Sequence, residues 1–382
     1  MSTPDLGIRI ASIEAFCFRV PIRTPIRVAF GTFRDRPCVL VKVTDANGAV
    51  GWGEAWANWP AVGAEHRARL VTDLGERLIG VPFNDPQTLF ADTSRALEVL
   101  TLQTGEIGPI AQAIAGIDIA VWDLVARRNR LPLHRLLSPT VPAVVPVYAT
   151  GINPDEPERF VEQRLKEGHR AFKLKTGFGN DRDLRNLRAM REVMGPACEL
   201  TCDANQSLSL EAAQAFCREA ESIQLGWFEE PLWVDAGPGP WRALAQSTRI
   251  PLAGGENLQG DQFDTAIADK VLQVIQPDVT KWGGISGNHR VATQAVEAGK
   301  RYCPHYFGGG VSLLASLHLL AAAGGSGLLE FDCHPNAGRE AIVGDLLPVR
   351  DGTVPVPQGP GLGAEPDLAA LARYQTLQTR TP

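Results

Sequence analysis

The chain has 382 residues, a formal net charge of −6, 44% apolar and 21% charged residues. That is the composition of an ordinary globular enzyme with one large domain or two smaller ones, and its negative balance argues against a nucleic-acid partner. Seven cysteines without a C-x-x-C pair read as reduced thiols in a cytoplasm rather than a disulfide framework. Residues 1–5 lack the basic and apolar regions of a signal peptide. The longest apolar stretch, 311–323, contains His318 and is too short to span a bilayer, so no membrane partner is expected and a buried helix is. Residues 8–20 and 38–44 run apolar or alternate, and Asp45-Ala46-Asn47-Gly48 supplies a turn into a returning strand at 49–55. Three helices follow. The clearest, about 108–128, sets Ile110, Ile114, Ile117, Val121 and Leu124 on one apolar face. Strands followed by helices predict a small α+β domain.

From about 144 the pattern becomes strict alternation. Strands are expected at 144–149, 171–176, 199–204, 226–229, 252–255, 271–276, 302–304 and 328–331, with helices such as 181–193, 210–222 and 287–298 between them. Eight strands and about seven helices predict a barrel, so the fold class is α/β with an α+β cap. The cap is expected over 1–135 and the barrel over 136–340. A Pro- and Gly-rich tail, 341–382, is expected to return to the cap without extending the barrel.

Three carboxylates recur at barrel spacing. Asp203, Glu229 and Glu256 each close an apolar run, at gaps of 229 − 203 = 26 and 256 − 229 = 27 residues. Side chains at the C-terminal ends of barrel strands converge on one mouth. Three acids there repel each other unless a cation sits among them, and Mg²⁺, or Mn²⁺, is the economical one. Lys173 and Lys175 lie at i and i+2 on the second strand and so share a face. Two cations beside a metal are expected to lower each other's pKa, which suits Lys175 as a base. Asp203 and Asn205 stand in the same i, i+2 relation. Of the adjacent Glu229 and Glu230 only one can ligate; Glu230 is expected to meet a neighbouring group instead. Asp278 and His305 end the sixth and seventh strands, where a carboxylate can orient an imidazole base. Glu330, on the eighth, can hydrogen-bond a substrate oxygen. Gly308-Gly309-Gly310 is either a phosphate cradle or a loop needing close backbone approach. A metal, a lysine and a histidine around one mouth suit removal of a proton α to a carboxylate. An amidohydrolase-like barrel would need an early His-x-His, which the chain lacks.

These motifs, Lys173-Leu174-Lys175, Asp203-Ala204-Asn205, Phe228-Glu229-Glu230-Pro231, Gly255-Glu256-Asn257, Pro277-Asp278 with Lys281-Trp282-Gly283-Gly284, His305 and Glu330, resemble the enolase superfamily, mandelate racemase subgroup. The resemblance covers almost the whole chain, including Val354–Gly363. It implies a (β/α)7β modified TIM barrel under a capping domain, Mg²⁺ on Asp203, Glu229 and Glu256, and acid/base roles for Lys175 and for the His305–Asp278 dyad. It further implies that Glu330 contacts the enolate oxygen and Lys173 the substrate carboxylate. Acid-sugar dehydratases and galactarolactone cycloisomerases are the nearest members; Phe331-Asp332 is similar to the latter. The muconate-lactonizing branch carries a lysine where this chain has Asp278. A small anionic acid sugar or 2-hydroxy acid is therefore the expected substrate, dehydration the expected reaction, with cycloisomerisation or racemisation as alternatives, and a homo-oligomer the expected assembly. Capping loops at about 21–33 and 52–60 would set specificity, with Phe30, Phe33, Trp52, Trp56 and Trp59 as roof candidates.

Overall fold

A computed structural model describes residues 7–382, without the side chains of Arg23 and Thr24; the segment 1–5 lies outside the described residues. The chain opens with three antiparallel strands, β1 (Ile8–Val28), β2 (Gly31–Asp45) and β3 (Val50–Ala55). The β2–β3 turn forms because the Asp45 carboxylate accepts from the Asn47 and Ala49 backbone N–H groups. Then come α1 (Gly63–Gly75), a short β4 (Pro82–Phe83), α2 (Pro86–Thr104), α3 (Ile107–Arg128) and α4 (Leu133–Leu137). Helix α2 starts where Asp85 caps the Gln87 and Thr88 N–H groups ahead of Pro86, and stops at left-handed Gly105.

Helix α3 is buried on more than the one face expected. Ile114, Ile117 and Val121 join the capping core, whereas Ile119 and Ala126 join the barrel core. The helix is sandwiched between the two layers, so apolar residues are needed all round. It is long and apolar enough to cross a bilayer by composition, and 83% of that stretch is buried inside the protein. Its backbone touches β3: a Cβ on Gly53 would lie 1.9 Å from the Gly116 carbonyl oxygen. With Gly51 and Gly53 facing α3, alternation turns Trp52 and Glu54 toward the barrel.

The barrel runs β5 (Val144–Ile152), α5 (Pro157–Lys166), β6 (Ala171–Lys175), α6 (Asn180–Met194), β7 (Glu199–Asp203), α7 (Leu210–Ala220), β8 (Phe228–Glu229) and α8 (Pro238–Ser247). It continues through β9 (Leu252–Gly254), α9 (Gln262–Ala268), β10 (Leu272–Ile275), α10 (Gly284–Glu297), β11 (Arg301–Tyr302), α11 (Gly310–Ala323) and β12 (Leu329–Asp332). The strands pair in parallel in chain order, and β12 pairs back onto β5, which makes a (β/α)7β modified TIM barrel. At the β11–β12 seam the Leu328 N–H reaches Cys303 Sγ at 3.3 Å. Tyr148, Trp227, Val274 and Cys303 belong to an apolar cluster contributed by the barrel strands. The barrel interior is thus a packed core, with polar chemistry confined to the strand ends.

After β12 come α12 (Ala337–Val343), β13 (Thr353–Pro355), α13 (Leu368–Leu371) and β14 (Gln375–Arg380). Strand β14 pairs with β1 in the cap. Contrary to expectation, the tail also extends the barrel sheet, because β13 pairs antiparallel with Val144–Pro146 of β5. That end of β5 lies before its first parallel partner at Val147 and offers an unpaired edge.

Candidate active site

Lys175, Asp203 and Glu229 are in register across β6, β7 and β8, so three ionisable side chains line up at adjacent strand ends. Glu256 follows β9, where a Cβ on Gly255 would lie 2.9 Å from the Gln276 backbone nitrogen. Gly255 at φ 136 therefore permits a close backbone approach, whereas Gly254 has ordinary room. Asn205, Gln206 and Glu230 hold positive φ of 43, 63 and 37 degrees. Non-glycine residues in that region carry strain, which concentrates at functional sites.

The carboxylates have found cations within the chain. Lys173 Nζ lies 2.8 Å from Glu229 and 2.8 Å from Glu330, and Lys175 Nζ donates to Asp203 Oδ2. His305 Nε2 is 2.5 Å from Glu256, and its Nδ1 is 2.7 Å from Asp278 Oδ2. The other Asp278 oxygen accepts from the Thr280 N–H and hydroxyl at 2.8 and 2.6 Å, which fixes the carboxylate against the imidazole. Burial opposes ionisation of Asp203, but Lys175 and Lys173 outweigh it and hold its pKa low. Burial raises Glu229 to about 7. Glu256 is held well below the usual range because His305 and Lys281 overcome its burial. His305 is correspondingly raised, Glu256 and Glu330 overcoming burial. Lys173 does lower the pKa of Lys175, as expected, but the net shift of Lys175 is upward. Burial pushes Lys175 down, but Asp203 more than compensates and raises it. Lys175 can act as a base only once another cation takes up the Asp203 charge.

Asp203, Glu229 and Glu256 offer only oxygen donors, the set a hard divalent cation prefers. As the side chains stand, no group of three or more His, Cys, Asp or Glu residues is gathered for a metal among the described residues. The reason is visible: each carboxylate is turned onto a lysine or histidine. The donor chemistry nonetheless fits Mg²⁺, since these buried acids hold cations wherever they can.

Above the strand ends lies a cavity of about 410 Å³. Lys175, Asn205, Glu256, His305 and Glu330 all line it. Lys173, Asp203 and Glu229 do not; they are 0–1% exposed and lie outside its lining. Lys173 is held by Glu229 and Glu330 and sits 5.3 Å from the Tyr148 ring, which keeps it out of the cavity wall. Glu230 meets Asn257 and Gln206 at 2.9 and 3.1 Å, and burial raises it to about 8. Of the roof candidates, Phe30, Phe33, Trp56 and Trp59 line the cavity, but Trp52 faces the core and packs on Phe16, 6.0 Å between centroids. The Gly308–Gly310 turn is no phosphate cradle: Gly309 and Ser312 N–H groups already donate to Glu54 at 2.5 and 2.9 Å.

Three further residues were missed. Lys281 lines the cavity, bonds Asn257 Oδ1 at 2.8 Å and lies 5.1 Å from the Trp56 ring centroid. Gln276 donates to Glu229 Oε2 at 2.7 Å, and the same i, i+2 rule that paired Lys173 with Lys175 pairs it with Asp278. Phe307, two residues after His305, faces Phe33 at 5.0 Å.

The sequence matches two family models: the mandelate racemase / muconate lactonizing enzyme N-terminal domain over residues 11–138 and the enolase C-terminal domain-like family over 156–370. It is 31% identical to D-galactarolactone cycloisomerase of Agrobacterium fabrum, over 96% of this chain and 99% of that one. A crystal structure described as a mandelate racemase/muconate lactonizing enzyme from Bordetella bronchiseptica RB50 is 47% identical, with a TM-score of 0.89, over 96% of this chain and 99% of that one. A variant of L-talarate/galactarate dehydratase crystallised with Mg and L-glucarate is 26% identical, with a TM-score of 0.86, over 100% of this chain and 95% of that one. Dehydratases, cycloisomerases and racemases all occur among the matching relatives. Matched over both domains, this chain is an enzyme of the enolase superfamily and belongs to its mandelate racemase subgroup.

Proposed function

We propose that this protein removes the proton α to the carboxylate of an acid sugar, an aldonate or aldarate, with Mg²⁺ on Asp203, Glu229 and Glu256, and that loss of water follows. The observation that carries this reading is that Lys175 and the Asp278-supported His305 line one cavity from β6 and from the end of β11. The α-proton of a carboxylate is very weakly acidic, and the divalent ion, when bound, supplies positive charge to the oxygens on which negative charge builds. The chain supplies the rest. Lys175 or His305 takes the α-proton from one face, and the partner delivers a proton to the departing β-hydroxyl from the other. Glu330, once it takes up a proton, donates to the substrate carboxylate oxygen, with Asn205 beside it. Lys173 holds Glu229 and Glu330 in place and meets the substrate carboxylate once Glu229 turns to the metal.

Cycloisomerisation of an acid-sugar lactone is the second reading. It is favoured by the galactarolactone cycloisomerase relative and by Phe331-Asp332. The experiment is a ¹H NMR screen of mono- and diacid sugars and their lactones with Mg²⁺ in D₂O. A 2-keto-3-deoxy acid supports dehydration, and an open-chain keto acid isomeric with the starting lactone supports cycloisomerisation. Deuterium at Cα with inverted configuration and no water lost sinks both in favour of racemisation or epimerisation. Full activity in excess EDTA would refute the metal.

A further inference from the structure

We propose that the substrate is a monocarboxylate whose far end is uncharged and lies against aromatic rings, not a dicarboxylate; this rests on the α-proton reading above and, of the aldonate and aldarate named there, excludes the aldarate. The cavity has two chemically distinct ends. The strand-end side presents Lys175, His305, Lys281 and the carboxylates, where a metal-held carboxylate group is bound. The opposite side is built by the capping domain from Val28, Phe30, Phe33, Trp56 and Trp59, with Phe307 of the barrel completing it. Phe30, Phe33, Trp59 and Phe307 form one continuous surface, whereas Trp56 meets the Lys281 ammonium 5.1 Å from its ring centroid. Phe33 lies 4.8 Å from Trp59 and 5.0 Å from Phe307, and Phe30 lies 6.1 Å from Trp59.

Among the described residues, no capping side chain that lines the cavity carries a charge. Asn58 donates its Nδ2 to the Phe307 carbonyl at 2.8 Å, and the buried Trp59 indole N–H, without a partner among the described residues, offers one neutral donor. Behind the wall Arg36 is stacked 3.8 Å from the Phe307 ring centroid and paired with Asp332. Its charge is thus already neutralised. A second carboxylate at this end would lose its water and gain no cation, only the single neutral donor of Trp59. Alkyl or C–H ring surface would instead lie against aromatic faces and gain affinity from burial. Both polar ends of a diacid cannot be satisfied here, whereas an acid with one carboxylate and one apolar end matches the cavity at each end.

The test uses the full-length, Mg²⁺-loaded enzyme and matched acids that differ only at the far carbon. One pair is 2-hydroxyhexanoate and 2-hydroxyadipate; the other is a hexonate and the hexarate of the same configuration. Calorimetry reads binding, and ¹H NMR in D₂O reads exchange of the α-proton. The apolar-ended member of the first pair is expected to bind about tenfold tighter or better. The neutral-ended hexonate should likewise bind tighter than its hexarate. Phe30 is 65% exposed, so Phe30→Arg can be made without disturbing the core, and it should shift the ratio about tenfold toward the diacids. Equal or tighter binding of the diacids, no measurable binding of any of the four acids, or an unchanged ratio in Phe30→Arg, overturns the proposal. The two readouts separate it from the reading beneath it. Exchange of both members with no preference between them removes the substrate class and leaves proton abstraction standing. Preferential binding of the apolar-ended acids with no exchange leaves the substrate class and removes proton abstraction.

Discussion

Buried carboxylates occur in two places in this molecule, and they are held in different ways. At the barrel mouth Asp203, Glu229 and Glu256 meet lysines and a histidine, groups on side chains that can turn away. At the junction of cap and barrel, Glu54, Asp118 and Asp123 meet backbone N–H groups that cannot. Glu54 caps the start of α11 through Gly309 and Ser312. Asp118 caps the start of α10 through the Ser286 N–H and hydroxyl at 2.9 and 2.7 Å. Asp123 accepts from the Trp52 and Leu362 N–H groups at 2.8 and 2.7 Å, and is the one of the three that, among the described residues, also takes a side-chain cation, Arg127 Nε at 2.8 Å. A helix N-terminus satisfies a carboxylate with its orphan N–H groups and its dipole, so the junction acids are tied into the fold. The mouth acids are balanced by side chains that another ligand can displace. The same residue type is tied into the fold in one place and, on the proposed reading, serves the metal in the other, and the partner, not the burial, distinguishes them.

This comparison can be broken by substitution. The largest effect is expected from Asp203→Asn, which should lower kcat/KM by about 10³-fold or more. The unfolding temperature of the metal-free protein should fall only slightly, since Lys175 loses the Asp203 charge but still senses Glu229 and Glu330. A large fall in Tm would mean that the mouth acids are structural after all. Next, Asp278→Asn should cost about 10–100-fold in activity by releasing the His305 ring, and it should alter the limb of the pH–rate profile that reports His305. An unchanged profile counts against the dyad. The converse experiment is Asp118→Ala. It leaves the Ser286 N–H of α10 without its cap and should cost roughly 2 kcal/mol of stability. Activity per folded molecule should be preserved, as read by denaturant titration alongside kcat.

The mouth was legible in the sequence because barrel strands carry function at one end and period two assigns faces. Asp203, Glu229, Glu256, Asp278 and His305 needed only those two rules. The junction was not legible. Glu54 reaches Gly309 across 255 positions and Asp118 reaches Ser286 across 168, and no local pattern encodes such a pairing. The glycine turn at 308–310 looked free only because its carboxylate lies in another domain. Trp52 was misassigned to the roof for a related reason. Its face is set by Gly51 and Gly53 lying on α3, a packing constraint visible only when helix and strand are together. The partners of Lys173 and Lys175 were missed because the choice among several acids across three strands is an electrostatic competition, not a spacing.

The smallest effect sharpens the comparison through pH, because groups with fixed partners should read out in stability rather than in rate. Two sets of buried groups away from the mouth pull in opposite directions. Burial lowers His169 to about 4 and His318 to about 3. Below about pH 6.5 the unfolded chain takes up protons that these folded imidazoles refuse, so their contribution is full above that pH and is lost as pH falls. Burial raises Glu54 and Asp118 to about 7, against their backbone hydrogen bonds. Between about pH 4 and 7 the folded chain binds protons there that the unfolded chain does not, so this contribution grows as pH falls. Each full proton is worth about 1.4 kcal/mol per pH unit, and the two sets cancel in part in the native protein. Single variants uncover them. His318→Gln should remove one loss, so that stability between pH 6.5 and 4 falls less steeply on acidification than in the native protein. Glu54→Gln should remove one gain, so that it falls more steeply. The Glu54→Gln pH–rate profile should stay close to that of the native enzyme, because Glu54 lies outside the cavity lining, its hydrogen bonds go to the start of α11, and its repulsion with Asp278 is the smallest influence on it. If Glu54→Gln moved the rate profile and left the stability curve in place, the division between junction and mouth would be wrong.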